Sequence, residues 1–322
     1  MMKLSAPLTL HIPHEKPMTE NSEPVLIARD LSKTIKGKQI VKSVSITLQP
    51  GEVFGFLGPN GAGKTTTIRM LVGLIRPTRG SVTICGYDVQ KDFERALRCV
   101  GAIVETPDLY RFLSGRENLE HFARMLGGVD AAEISRVGRL VQLEHRLDDR
   151  VGTYSLGMRQ RLGIAQALLG SPRLLVLDEP ANGLDPAGIR EMRQLLRSLA
   201  MDRGMSVFVS SHLLAEIELM CDRVAIIHRG EVLKAGRVDE LIRSRREMAL
   251  RVDQPERALH IARGLGMEPA SFDHSIRMEA DEHQTAALIS ALSDGGVRVF
   301  SAEMHQPTLE EMFLEATGGQ SV

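Results

Sequence analysis

The stretch Gly58-Pro59-Asn60-Gly61-Ala62-Gly63-Lys64-Thr65-Thr66 constrains this chain more than any other. Its glycine spacing, closed by Lys-Thr, fits G-x-x-x-x-G-K-[ST]. An apolar run, Val53 to Leu57, leads in as a strand. A helical pattern from Lys64 to Leu74 leads out, with Arg76-Pro77 as its stop. Glycine lets the backbone curl until successive N–H groups face one anion. The helix that starts at Lys64 adds its positive end. The loop therefore predicts a phosphate cradle, in which Lys64 reaches the β- and γ-phosphates of a nucleotide and the Thr65 hydroxyl ligates Mg²⁺.

Two further stretches bear on the same chemistry. Leu174 to Leu177 is an apolar strand that ends in Asp178-Glu179, about 120 residues after the loop. A strand ending this way delivers both carboxylates to the edge of a sheet where doubly wound folds bind ligands. Asp178 is expected to hold Mg²⁺, and Glu179 to orient and deprotonate the attacking water. Tyr154-Ser155-Leu156-Gly157-Met158-Arg159-Gln160-Arg161 opens a helix reaching about Leu169, with Ser155 as its N-cap. Its positive end and the Gly157 N–H form a second anion site. One chain has no use for two such sites unless one serves a neighbouring molecule, so the pair points to a dimer sharing nucleotide across its interface.

Around these motifs the texture is that of a parallel α/β core. Near-continuous apolar strands (Leu174 to Leu177, Ser206 to Ser210) each follow a helical pattern, and Arg223 to His228 follows a helix at Leu213 to Met220. Strands are expected at Val25 to Ala28, Ile40 to Leu48 and Ser81 to Ile84, with turns at Gly37 and Pro50-Gly51. Asn118 to Leu126 and Ala131 to Leu143 carry apolar residues at helical spacing. From about Glu247 short strands and helices alternate. The expected division is a loose leader (1–22), a nucleotide-binding unit (23–245) and a small α+β module (246–322). Translation from Met18 would remove most of the leader.

Lys plus Arg number 40 and Asp plus Glu 41, so no global field draws the chain to nucleic acid or anionic lipid. The basic run Arg243 to Arg246 reads as a solvated helix end. Cys85, Cys99 and Cys221 have neither metal spacing nor a disulfide framework, as expected of thiols in a reducing compartment. No stretch approaches the roughly 20 apolar residues of a membrane span, so work at a membrane requires a partner.

With its motifs in this order, the sequence resembles the ATP-binding subunit of ABC transporters over residues 25 to about 240. Tyr154 to Met158 matches the signature LSGGQ, keeping Ser155 and Gly157 but carrying Leu156 and Met158 for the first Gly and the Gln. The resemblance implies a P-loop cassette with a mixed-sheet core, an antiparallel β subdomain and a helical subdomain. It names Gly183-Leu184-Asp185-Pro186 as the D-loop at the dimer interface, and His212 as the switch histidine on the γ-phosphate. It also implies a homodimer around two ATP, at the cytoplasmic face of the membrane, driving a separate integral-membrane permease. The form of residues 154–161 is similar to the branch exporting drugs, peptide antibiotics such as bacitracin, and lipids. Pro307 to Leu314 resembles the C-terminal accessory domain common there. Two positions depart from the family. Ile35 stands where an aromatic stacks on adenine, and Glu105 stands for the Q-loop Gln, where it is expected to face Mg²⁺ or the attacking water. The segment Thr106 to Asn118 then falls where the family docks its membrane partner. The alternative, a permease-free ATPase acting on ribosomes or nucleic acid, lacks its usual paired cassettes, long charged linkers and zinc modules here.

Overall fold

Three sheets organise the chain. The computed structural model describes residues 23–127, 129–243, 247–272, 275–305 and 308–316. The leader 1–22, residues 244–246 of the basic run and Pro307 lie outside them. The chain opens with a hairpin, β1 (Leu26–Ile35) and β2 (Lys38–Leu48), then β3 (Val53–Leu57), which runs through the glycine loop into α1 (Lys64–Leu71). β4 (Arg79–Ile84) and β5 (Tyr87–Asp88) return to the hairpin, giving an antiparallel sheet of order β2-β1-β4-β5. The short α2 (Phe93–Leu97) and β6 (Val100–Ile103) precede three helices, α3 (Gly115–Leu126), α4 (Ala131–Leu140) and α5 (Leu156–Ala167). Next come β7 (Leu174–Asp178), α6 (Pro186–Arg203), β8 (Ser206–Ser211), α7 (Leu214–Glu218), β9 (Arg223–His228) and β10 (Glu231–Arg237). They complete a sheet of order β10-β9-β3-β8-β7-β6, parallel except for the edge strand β10.

α8 (Val238–Arg243) leads to the third sheet. Along the chain this part runs β11 (Glu247–Val252), α9 (Pro255–Gly264), β12 (Ala270–Phe272), β13 (Ser275–Glu279), α10 (Glu282–Asp294), β14 (Val299–His305) and α11 (Leu309–Ala316). The strands pair antiparallel in the order β12-β13-β11-β14.

The apolar runs that stood out in the sequence are the strands buried on both faces. Every residue of β3, β7 and β8 is buried, as a parallel sheet covered on both sides requires. Side-chain alternation divides each strand between two cores. Val53, Leu57, Leu175, Leu177, Val207 and Val209 face the helical side. Phe54, Phe56, Leu174, Val176 and Phe208 face α1 and the antiparallel sheet. The third sheet has a core of its own, in which Met248, Leu250, Ile276 and Met278 meet Ala258, Ala262, Leu288 and Leu292. One element departs from the expected module 246–322. In α11, Leu309, Met312 and Phe313 are buried in the helical-side core of the central sheet, not in the core of the third.

Phe208 carries much of the packing on the α1 side. Its ring stacks on Phe54 at 5.7 Å and 11°, and meets Phe56 at 5.7 Å. Phe208→Ala is expected to destabilise the chain by about 3–5 kcal/mol. In a urea titration the midpoint should fall while the slope stays constant.

Candidate functional site

The order β3-β8-β7-β6 lines up the predicted residues along one edge of the central sheet. The loop 58–63 leaves β3, His212 follows β8, Glu179 follows β7, and Glu105 lies two residues beyond β6. Gly58 packs where no side chain fits, since a Cβ there would stand 2.2 Å from the Ile227 carbonyl oxygen. Gly63 caps α1 at φ 109°, in the left-handed region that favours glycine. Gly230 N–H donates to the Ala62 carbonyl at 2.9 Å, tying the loop to the β9–β10 turn. Pro59, Asn60 and Gly61 form the outer rim, while Thr65 and Thr66 are half-buried on the first turn of α1.

Lys64 is the centre of the arrangement. It is buried, and its Nζ donates to the Gly58 and Pro59 carbonyls at 2.6 and 3.3 Å. Glu179 Oε1 lies 3.0 Å away as a charge pair without hydrogen-bond alignment. The other carboxylate oxygen, Oε2, meets His212 Nδ1 at 2.8 Å. Glu179 sits at φ 51°, an uncommon conformation for a residue with a side chain. Asp178 is buried and accepts from Ser210 Oγ at 2.6 Å, and the same hydroxyl accepts from Glu179 N–H at 3.0 Å. One serine on β8 thus holds the Asp178 carboxylate and the backbone of Glu179.

The remaining residues fall in two places. Ser155 caps α5, accepting from Met158 N–H at 3.2 Å, and is exposed with Leu156 beside it. Leu156 and Gly157 face the D-loop: a Cβ on Gly183 would stand 3.2 Å from Leu156 Cδ2, and one on Gly157 3.8 Å from Leu184 Cδ2. Among the described residues no hydrogen bond joins Ser155 or Gly157 to the loop 58–66. Tyr154, just before, is buried and donates to the Arg146 carbonyl; burial pushes its phenol up to about 12, so it stays a neutral donor. Ile35 stands at the end of the β1–β2 hairpin, paired with Lys38 and 42% exposed. Glu105 has a partner within the chain. Its carboxylate pairs with the Arg69 guanidinium, on α1 one turn beyond Thr65.

Sequence reasoning missed Arg69, Ser210 and Asn118. Asn118 is fully buried in α3 and holds the preceding segment, with Oδ1 accepting from Tyr110 N–H at 2.8 Å and Nδ2 donating to the Tyr110 and Ser114 carbonyls. A lone Asn on the apolar side of a helix was the available signal.

A cation at a helix head, with two carboxylates and a histidine on neighbouring strand ends, is the layout of a P-loop ATPase. Residues 41–182 match the ABC transporter family. The chain is 48% identical to the ABC transporter ATP-binding protein YhcH of Bacillus subtilis over 295 residues, 91% of this chain and 96% of that one. It is 40% identical to the bacitracin transport ATP-binding protein BcrA of Bacillus licheniformis, covering 92% of this chain and 99% of that one. A solved ATP-binding subunit of an ABC transporter superposes with a TM-score of 0.60 at 35% identity, over 68% of this chain and 92% of that chain. The chain therefore belongs to the ATP-binding proteins of ABC transporters, the subunits that bind and hydrolyse ATP.

The Lys64–Glu179 contact has a measurable consequence. An incoming phosphate competes with the Glu179 carboxylate for Lys64, and the two anions repel each other. Glu179→Gln removes both effects and is expected to tighten binding of ATP in excess EDTA by up to about tenfold, equal to 1.4 kcal/mol. Equilibrium titration with a fluorescent ATP analogue reads this; unchanged affinity would show that the contact does not oppose binding.

Proposed function

We propose that two copies of this chain close around two ATP molecules and drive a separate membrane permease that exports a peptide antibiotic or a similar amphipathic compound. The observation that carries the shared site is the exposed, Ser155-capped head of α5 beside the D-loop. It is a helix N-terminus suited to an anion, without a hydrogen bond to its own phosphate loop among the described residues. Each site is then Lys64, Asp178, Glu179 and His212 of one copy with Ser155 and Gly157 of the other. The loop Gly58 to Thr66 cradles the phosphates, and Lys64 passes from Glu179 to the β- and γ-phosphates. Glu179, freed from Lys64 and still steadied by His212, takes the proton of the attacking water.

The donor set suits Mg²⁺. A Thr65 hydroxyl and the buried Asp178 carboxylate supply the one or two protein ligands this ion takes alongside phosphate oxygens and water. When bound, Mg²⁺ offsets the charge that develops on the transferred phosphoryl group.

No helix among the described residues is long and apolar enough to cross a membrane. A permease contact is supported by Tyr110 and Phe112, exposed aromatic rings 5.8 Å apart on the segment that Asn118 holds. Export is supported by the likeness to proteins of bacitracin, lantibiotic and linearmycin transport or resistance.

Glu179→Gln tests the shared site directly. It blocks water activation, so the full chain should run as a dimer in Mg-ATP and as a monomer in Mg-ADP by light scattering. A monomer in Mg-ATP at high protein concentration overturns the proposal. A second prediction concerns Ile35, which offers the base an aliphatic face where an aromatic would stack. Ile35→Tyr is expected to tighten ATP binding about tenfold, the low end of a stacking contribution of roughly 1–3 kcal/mol. Titrations with ATP and GTP read the gain and its preference for adenine.

A further inference from the structure

The last helix of the chain belongs to the core of the central sheet although a whole sheet separates it from that core in sequence. Leu309, Met312 and Phe313 of α11 are buried with Ile217, Met220, Val224 and Ile226. Two specific contacts fix where it sits. Glu218, the last residue of α7, accepts from Leu309 N–H at 3.0 Å, so a carboxylate from one helix caps the head of the other. The Phe313 ring meets the edge of His228 at 6.2 Å and 74°. α11 also carries its own cap, with Thr308 Oγ1 accepting from Glu311 N–H and Glu311 Oε2 from Thr308 N–H.

Both contacts lead straight to the phosphate site. α7 begins two residues after His212, and its other side lies on β3, where a Cβ on Gly55 would stand 2.7 Å from Ile217 Cγ2. The helix is held between the strand that feeds the glycine loop and the last helix of the chain. His228 follows Ile227, whose carbonyl is the surface on which Gly58 rests. A displacement of α11 therefore reaches both His212 and the start of the phosphate loop.

We propose that α11 is a positioning element of the hydrolytic site, acting through Glu218 on α7, and so on the contact of His212 with Glu179, and through Phe313 on His228 at the end of β9. The proposal rests on the role given to His212 above. Three residues separate β14 from α11, so the third sheet is connected by a short stretch of chain to the helix that packs on α7.

The test uses the full chain in Mg-ATP and separates kcat from KM. Glu218→Ala removes the cap and is expected to lower kcat about five- to tenfold, with KM for ATP within about twofold and the melting temperature little changed. Glu218→Gln keeps an acceptor oxygen for Leu309 N–H and should restore kcat. Phe313→Leu keeps the site apolar, guards against simple unfolding, and should lower kcat in the same sense. If Glu218→Ala and Phe313→Leu both retain kcat while His212→Ala loses it, the positioning role is overturned and His212 stands. If His212→Ala itself retains kcat, the role of His212 falls and this inference with it. A loss in which kcat and thermal stability fall together, unrescued by Glu218→Gln, marks a merely structural helix and also overturns the proposal.

Discussion

A buried ammonium, Lys64, organises the site and much of what surrounds it. Taking an ammonium out of water costs several kcal/mol unless acceptors and opposite charge compensate it. The compensation is local: two carbonyls of the glycine loop and the Glu179 carboxylate. Those carbonyls are in place because Gly58 can lie on the Ile227 carbonyl and Gly63 can turn left-handed. Both need β9 beside β3 and α1 continuing from the loop. Glu179 is in place because Ser210 on β8 and His212 just beyond it hold its backbone and its second oxygen. Strand order and site charge are thus one problem. β3, β8 and β7 must be neighbours for the lysine, the histidine and the glutamate to meet.

Where this chain departs from its family's pattern, neighbouring residues absorb the change. A charged Glu105 in place of Gln would add repulsion toward phosphate, but Arg69 balances that charge on the adjacent face of α1. Both partners are substantially exposed, so the pair adds little stability. Leu156, in place of the first glycine of the signature, lies against Gly183 and remains 37% exposed. The head of α5 thereby gives up backbone freedom for apolar surface beside its anion-binding N–H groups.

The parts of the fold that sequence revealed are those with a local pattern. The loop 58–66 is read by residue identity, and β3, β7 and β8 by apolar runs that only a strand buried on both faces tolerates. Ser155 was legible as a cap because an N-cap is a property of one residue and the turn after it. β10 escaped because its residues alternate between exposed and half-buried, with Glu231, Lys234 and Arg237 along it, as suits an edge strand. Ser210 and Arg69 escaped for a different reason. Each matters through a partner 31 or 36 residues away, and neither residue type advertises such a partner. Ile35 and Glu105 were visible only as departures, and their surroundings had to come from the structure.

The placement of α11 has the same origin and a larger consequence. Its apolar residues fit any amphipathic helix, and sequence proximity assigns it to the sheet before it. Burial assigns it elsewhere, because Ile217 of α7, Met220 just after it and Val224 of β9 belong to the same buried apolar cluster as Leu309, Met312 and Phe313. The third sheet closes its own core without it. The third sheet, with a core of its own, is joined to the rest of the chain by α8 at one end and by α11 at the other. Among the described helices, α11 alone comes after that sheet and yet packs beside α7, which is what makes it the path proposed between the end of the chain and the ATPase centre.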